Sequence, residues 1–367
     1  MLCYTLSMKI IDKTVTIDLM ENQTSEDRRK LLQGAKKNFD FYFKNLSFAA
    51  FDIETTGLSP TTSQVVLAGF AMPVSDDEIR IIQFFAENID EEKDVLIHVQ
   101  ELIKSLDLVV TFNGASFDIP FVSKRCSLYN ISVEKDIYNL DIYKIIKNFS
   151  DLGKMLPNLK QKTVENFLGL SFQRKDEISG KKSIDLYLNY MLNPSETLLE
   201  TILLHNSDDI KQLYRIVFSM YPVNLHRAMC INGFPLGKVI VPQLLEEETS
   251  RIIIDKMNLS KTALHITGKL SQFPLRFQEY CDTDGICYDF GKESFTVKVN
   301  LVNRQNTVFL PLNLLWKEDK ENILKEATET GFLMGEYLII SRDKSVNHMA
   351  VTWLAKKTIE RVIDQWI

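Results

Sequence analysis

Ser47-Phe-Ala-Ala-Phe-Asp-Ile-Glu-Thr-Thr-Gly57 is the stretch on which the reading of this sequence turns. It is apolar and aromatic with no breaker before Gly57, too short for a helix, and reads as a buried strand. Asp52 and Glu54 stand two apart at its end. That spacing puts both carboxylates on one face of a strand and Phe51 and Ile53 on the other. Gly57 and Pro60 then break the run. Two like charges at a buried strand end are costly unless something positive offsets them, and a divalent cation is the common compensation. Two solvated acids at an exposed strand end is the plainer alternative. Further acids elsewhere in the chain decide between them.

Working outward, Gln64–Met72 and Arg80–Phe85 are apolar runs separated by the turn-like Pro73–Glu78, which predicts an antiparallel meander with the first strand. Residues 90–105 show helical spacing. Leu108–Phe112 is a fourth strand; Asn113-Gly114 turns the chain into a helix over 117–129, and a fifth strand follows at Ile137–Asp141, the pattern of a parallel crossover. Upstream, Met8–Leu19 predicts one short strand or hairpin, and 24–44 a helix capped by Thr24 or Ser25. Residues 142–220 are mostly helical and end in a long helix, 195–219, capped by Asn193 or Ser195. The expected fold is α/β, a mixed five-stranded sheet with flanking helices.

Pro222, Gly233, Pro235 and Gly237 mark a linker or boundary after Met220. Beyond it, Ala263–Leu270, Leu275–Cys281, Cys287–Phe290, Ser294–Val302 and Thr307–Leu310 read as strands, and 346–366 as a terminal helix. Asp284-Gly285 and Phe290-Gly291 read as turns between them. Three segments result: an N-terminal extension (1–44), the sheet domain (45–220) and a smaller β-rich accessory domain (221–367) with no functional reading.

The 367-residue chain has a net charge of −6. Charges balance in residues 221–367, so the excess of acids lies in residues 1–220, and no global field draws a polyanion. The cysteines, Cys3, Cys126, Cys230, Cys281 and Cys287, are odd in number and scattered without a Cys-x-x-Cys pair. This argues against a disulfide framework and a zinc site. No apolar run approaches the ~18 residues of a membrane span. Met1–Thr16 lacks a basic head and a cleavage site, so a cytoplasmic protein is expected.

Two more acids join the first pair. Asp118 opens the helix that leaves the fourth strand, where open α/β sheets bind ligands and where the helix dipole also favours a plain helix-start acid. His205 and Asp209, four apart, share a helix face with Ile202, Leu213 and Ile216, which turns them inward. Asp208 falls with Lys211 and Arg215 on the expected wet side. Four carboxylates from three elements can hold two hard divalent cations, the device of phosphodiester cleavage.

Asp-Ile-Glu-Thr-Thr-Gly (52–57), Asn-Gly-x-x-Phe-Asp-Ile-Pro (113–120) and His-x-x-x-Asp (205–209) resemble the three motifs of the DEDD superfamily of RNase H-like 3′–5′ exonucleases. Leu156–Leu170 and Arg174–Gly180 are similar to its YprB-like predicted-exonuclease branch, and the middle motif to that of the proofreading domain of family B DNA polymerases. The resemblance covers residues 45–220. It implies an RNase H-like fold, Asp52, Glu54, Asp118 and Asp209 as metal ligands, and Mg²⁺ or Mn²⁺ as the two ions. One subclass places a tyrosine four residues before the last acid and another a histidine five before it; here His205 takes the tyrosine's spacing. An imidazole there can position or deprotonate the attacking water.

The leading expectation is a two-metal 3′–5′ exonuclease acting on single-stranded or end-exposed DNA or RNA, with no membrane partner. Thr55, Thr56, Asn113 and Phe117 are the candidates to hold the terminal nucleotide. Lys154, Lys160, Lys162, Arg174, Lys175, Lys181 and Lys182 form either a basic track or a solvated surface. Arg28, Arg29, Lys30, Lys36 and Lys37 form either a phosphate contact or a solvated face. Asp141 is an outer-shell acid or a structural one. The competing expectations are a nucleic-acid-binding or scaffolding module with little turnover, and an endonuclease or nucleotide hydrolase using the same site.

Overall fold

A computed structural model describes residues 8–19, 25–170, 174–175, 180–240, 249–271, 277–281, 285–312, 320–329 and 331–364. The chain divides into two compact units, at Val223 and Asn224.

The first unit runs β1 (Lys9–Thr16), α1 (Glu26–Phe43), β2 (Phe48–Thr55), β3 (Val65–Pro73), β4 (Glu78–Phe85), α2 (Glu92–Ser105), β5 (Leu108–Thr111), α3 (Asp118–Leu128) and β6 (Tyr138–Asp141). Five helices follow: α4 (Ile142–Phe149), α5 (Leu152–Met155), α6 (Gln161–Leu168), α7 (Gly180–Leu192) and α8 (Glu196–Phe218). The sheet is mixed and six-stranded, in the order β1-β4-β3-β2-β5-β6. The expected meander is there, β2, β3 and β4 being antiparallel neighbours, and β2, β5 and β6 run parallel.

The sixth strand is β1, which pairs antiparallel with β4 from Lys9 opposite Phe85 to Thr16 opposite Glu78. Residues 9–43 are therefore part of this unit and not an extension from it. The helix α1 buries Leu32, Phe39 and Phe43, and the Phe39 ring lies 5.3 Å from that of Phe48 and 5.0 Å from that of Phe218. Three of its cations have protein partners, Lys30 with Glu26 at 2.8 Å, Lys36 with Asp40 at 3.2 Å, and Arg28 with the Leu168 carbonyl, while Arg29 and Lys37 lie exposed.

Strand alternation sorts the core. Phe51, Ile53, Phe70 and Phe84 pack with Val95, Val99 and Phe121 of α2 and α3. On the other face Val66, Leu67 and Phe85 pack with Tyr187, Tyr190 and Ile202 of α7 and α8. Asp52 and Glu54, out of phase with Phe51 and Ile53, consequently point to the α8 side.

The second unit begins with α9 (Leu225–Asn232) and β7 (Phe234–Ile240), so the Pro- and Gly-bearing stretch read as a linker or boundary holds the division between the units but is ordered secondary structure. Gly233 joins α9 to β7 with a φ of +75°, and a Cβ there would meet the Ile254 carbonyl at 1.8 Å, so only glycine fits. Next come β8 (Thr249–Leu259), β9 (Ala263–Leu270), β10 (Phe277–Cys281), β11 (Ile286–Phe290) and β12 (Ser294–Asn300), which with β7 make a six-stranded antiparallel sheet. A smaller sheet holds β13 (Val302–Arg304), β14 (Thr307–Pro311), β15 (Leu333–Met334), β16 (Tyr337–Arg342) and β17 (Ser345–Val346), with α10 (Lys320–Glu329) preceding β15. The terminal helix α11 (His348–Asp364) buries Trp353, Leu354 and Ile359.

Cys287 is disulfide-bonded, although the scattered cysteines argue against a disulfide framework. Its position faces Cys281 in register across β10 and β11, an adjacency set by strand pairing that no short spacing motif encodes. The N-terminal residues 1–7 and residues 272–276 and 282–284, on which readings of Cys3, of the start of the 275–281 strand and of Asp284 fell, lie outside the described residues. Among the described residues no helix is long and apolar enough to cross a membrane.

Candidate metal centre

The acids meet where β2 and β5 end. β2 carries Asp52 and Glu54 toward α8, and α8 returns His205, Asn206 and Asp209 toward them. Asp118, the first residue of α3, reaches back to β2, where its Oδ1 accepts the Ile53 amide at 3.3 Å. The turn that makes this reach possible is tightly specified. Asn113 adopts φ +68°, a left-handed conformation that asparagine tolerates, and a Cβ on Gly114 would lie 2.4 Å from the Thr111 side chain. Asp141 pins the same turn, accepting the amides of Asn113 at 3.0 Å and Ala115 at 3.1 Å, while capping α4 through the Lys144 amide at 3.2 Å. Of its two sequence readings, these contacts give Asp141 the structural one.

A protein donor holds one oxygen of each of the four acids. Asn206 Nδ2 donates to Asp52 Oδ2 at 3.0 Å, Ser183 Oγ to Glu54 Oε2 at 2.8 Å, the Ile53 amide to Asp118 Oδ1, and Arg174 Nη2 to Asp209 Oδ1 at 2.5 Å. The second oxygens of two acids face one imidazole: His205 Nε2 is 3.5 Å from Glu54 Oε1 and 3.6 Å from Asp209 Oδ2. Glu54, His205 and Asp209 each offer a ligand atom, all within 4.8 Å of one another, and can hold a metal ion.

Electrostatics point the same way. Burial, then the charges of Asp118, Asp209 and Glu54, holds the Asp52 carboxyl well above the usual carboxylate range. Burial pushes Glu54 up to about 7 despite the opposing pull of His205, and pushes Asp118 up to about 7 despite the amides that stabilise its charge. Acids this destabilised in their charged form suit a divalent cation, which favours the charged form and adds ligand bonds.

A pH dependence follows. Glu54 keeps its proton in the folded state between its ordinary 4.5 and about 7, while the unfolded chain has lost it. The fold binds more protons than the unfolded state across that window, so metal-free stability falls as pH rises through it. In EDTA, the melting temperature is expected to drop between pH 5 and pH 7.5, and added Mn²⁺ to raise it most at the upper end. Melting curves at fixed ionic strength check both.

Residues 49–221 match the sequence profile of the RNase H superfamily. They belong to that superfamily. The chain is 24% identical over 228 residues to a DNA polymerase of Methanocaldococcus jannaschii, covering 54% of this chain and 13% of that protein. It is 24% identical over 163 residues to DNA polymerase 1 of Sulfolobus acidocaldarius, covering 40% of this chain and 19% of the other. A solved family B DNA polymerase from Pyrobaculum calidifontis aligns with 87% of this chain and 51% of its own, at 15% identity and a TM-score of 0.38. The chain thus spans 13% to 19% of the length of the first two polymerases.

Within the RNase H domain the remaining sequence candidates find defined places. Thr55 Oγ1 donates to the Gly57 carbonyl at 2.7 Å, and Thr56 Oγ1 accepts the Gln64 amide at 2.9 Å, so both hydroxyls shape the loop leaving β2. Phe117 is half-buried, its ring 5.4 Å from that of Phe121. Asp208 is not on a wet face. It is 1% exposed, paired with Lys211 at 2.5 Å and accepting the Lys175 amide at 2.7 Å. Arg215 is also buried and donates to the Asp18 carbonyl at 2.6 Å. Segments around residues 18 and 175 cover the side of α8 that its periodicity assigned to solvent.

Arg174 likewise joins neither a basic track nor a solvated surface. Its guanidinium grips Glu165 at 2.7 and 2.9 Å as well as Asp209. Lys154 pairs with Asp151 at 2.7 Å; Lys160, Lys175 and Lys182 are exposed, and Lys162 is half-buried. The Lys181 side chain and residues 176–179 lie outside the described residues. Sequence reasoning missed Asn206 and Ser183 altogether. Asn206 adjoins His205, but nothing local marks it as the partner of an acid 154 positions earlier.

Proposed function

We propose that the RNase H domain is a metal-dependent 3′–5′ exonuclease hydrolysing phosphodiester bonds at the ends of DNA or RNA strands. The observation that supports this is the convergence of Asp52, Glu54, Asp118 and Asp209, each held by one oxygen, with His205 facing the second oxygens of Glu54 and Asp209. The four acids would hold two Mg²⁺ or Mn²⁺ ions, hard cations suited to oxygen donors. Such an ion pair supplies a nucleophile at neutral pH and charge stabilisation at the departing oxygen. His205 Nε2 orients the attacking water and takes its proton. Asn113 and Phe117, both shortly before Asp118 in the chain, meet the terminal nucleotide, and the loop shaped by Thr55 and Thr56 bounds it.

Purified protein with Mn²⁺ is expected to shorten a 5′-labelled linear single strand stepwise, leave a closed circle intact and stop in EDTA. Cutting of the circle would make the enzyme an endonuclease. Binding of strands without shortening would make the domain a scaffolding module. His205→Ala is expected to lower kcat by about 10²-fold at neutral pH, the size of a lost general base. Single-turnover rates across a pH series check this, because the loss should shrink as hydroxide rises.

A further inference from the structure

We infer that Asn206 is a positioning residue that aims Asp52 at its cation, with Gln83 of β4 fixing which way the amide faces; this rests on the metal reading of the four acids. The chain of contacts starts from an atom whose role is unambiguous. The Leu203 carbonyl can only accept, and Gln83 Nε2 donates to it at 2.9 Å. The same Nε2 donates to Asn206 Oδ1 at 2.9 Å, which turns Asn206 Nδ2 away from Gln83 and onto Asp52 Oδ2 at 3.0 Å. A second approach, to the Asp52 carbonyl at 3.4 Å, ties the amide to the backbone of β2 as well.

The sheet is shaped for this relay. Gln83 and Asn206 are both fully buried amides. Gly69 stands directly opposite Asp52 across the β2–β3 pair, and a Cβ there would lie 2.0 Å from Asn206 Oδ1. An absent side chain on β3 is therefore the space Asn206 occupies. Gln83 Oε1 has no hydrogen-bond partner among the described residues, a cost of about 1–3 kcal/mol that an apolar residue at this position would avoid. A purely structural role does not account for that cost; aiming an acid does.

The chemistry asked of Asn206 is specific. A neutral donor to one oxygen of Asp52 restricts rotation of the carboxylate and leaves its other oxygen for a cation. It adds no charge to a cluster already rich in like charges. Partners of this kind typically contribute 10–100-fold to metal affinity.

The test is Mn²⁺ titrated into the full chain, with unbound Mn²⁺ read by electron paramagnetic resonance, for wild type, Asn206→Leu, Gln83→Leu and Asp52→Asn. Asn206→Leu, close in shape, is expected to keep the native circular dichroism spectrum and weaken Mn²⁺ binding by about 10–100-fold. Gln83→Leu, which never touches the acid, should weaken it by a smaller factor. Unchanged affinity in a folded Asn206→Leu, with binding lost in Asp52→Asn, would overturn the positioning role and leave the metal site standing. Mn²⁺ bound by Asp52→Asn as tightly as by wild type would overturn the metal reading, and this inference with it. If Asn206→Leu does not fold, Gln83→Leu decides: weakened binding supports the relay and unchanged binding overturns it.

Discussion

Asp52→Asn is expected to remove nuclease activity, by on the order of 10³-fold in kcat, and at the same time to make the metal-free protein more stable. The loss follows from the ligand set. An amide has the shape of the carboxylate but offers a cation one neutral oxygen in place of a shared negative charge. The gain follows from the neighbours. Burial and the charges of Asp118, Asp209 and Glu54 all oppose ionisation of Asp52. Removing one negative charge relieves that opposition, while the bond from Asn206 Nδ2 can still be accepted by the new side chain's oxygen. Activity on an end-labelled strand and melting in EDTA read the two halves separately. A variant that loses activity by unfolding would show the opposite thermal shift.

The second large effect lies on the other face of the sheet and concerns stability alone. Arg125→Met is expected to destabilise the RNase H domain by about 3–5 kcal/mol, because it strands a buried carboxylate. Glu92, at the start of α2, has 0% exposure. It accepts Arg125 Nε at 2.7 Å, the Tyr129 hydroxyl at 2.9 Å and the Val65 amide at 2.8 Å, and a further Arg125 nitrogen sits on its second oxygen. These bonds join α2, α3 and the first residue of β3 at one point. With the guanidinium gone, Glu92 must keep its charge uncompensated or take up a proton, and either costs stability. Urea unfolding followed by far-UV circular dichroism gives the size. Adding Glu92→Leu to Arg125→Met should recover a large part of the loss, since removing both charges is far less costly than removing one.

Legibility from the sequence followed the range of the contacts involved. Asp52 and Glu54 could be assigned to one face because a strand's alternation is local, and Phe51 and Ile53 do pack on the opposite face. Asp118 could be placed because a strand exit, an Asn-Gly turn and a helix start are all written within ten residues. What joins the acids to their holders is not local. Ser183 meets Glu54 across 129 positions and Asn206 meets Asp52 across 154, and neither spacing leaves a periodic trace. The misplacement of Asp208 has a related cause. Helical periodicity presumes one wet face, whereas α8 buries His205, Asn206, Ser207 and Asp208 in succession. A helix stretch buried over consecutive positions carries no such signal, and polar residues within it are matched to partners that only the tertiary structure supplies. The sixth strand was visible as a strand but not as a member of the sheet, because its pairing with β4 depends on a register that no turn connects.

Crystals of the full chain soaked in Mn²⁺, with diffraction recorded at the manganese edge, address the central claim without any assay. Two anomalous peaks about 3.5–4 Å apart, bounded by Asp52, Glu54, Asp118 and Asp209, are expected. A map with no peak among those four side chains at saturating Mn²⁺, or with its manganese bound elsewhere on the protein, would contradict that claim.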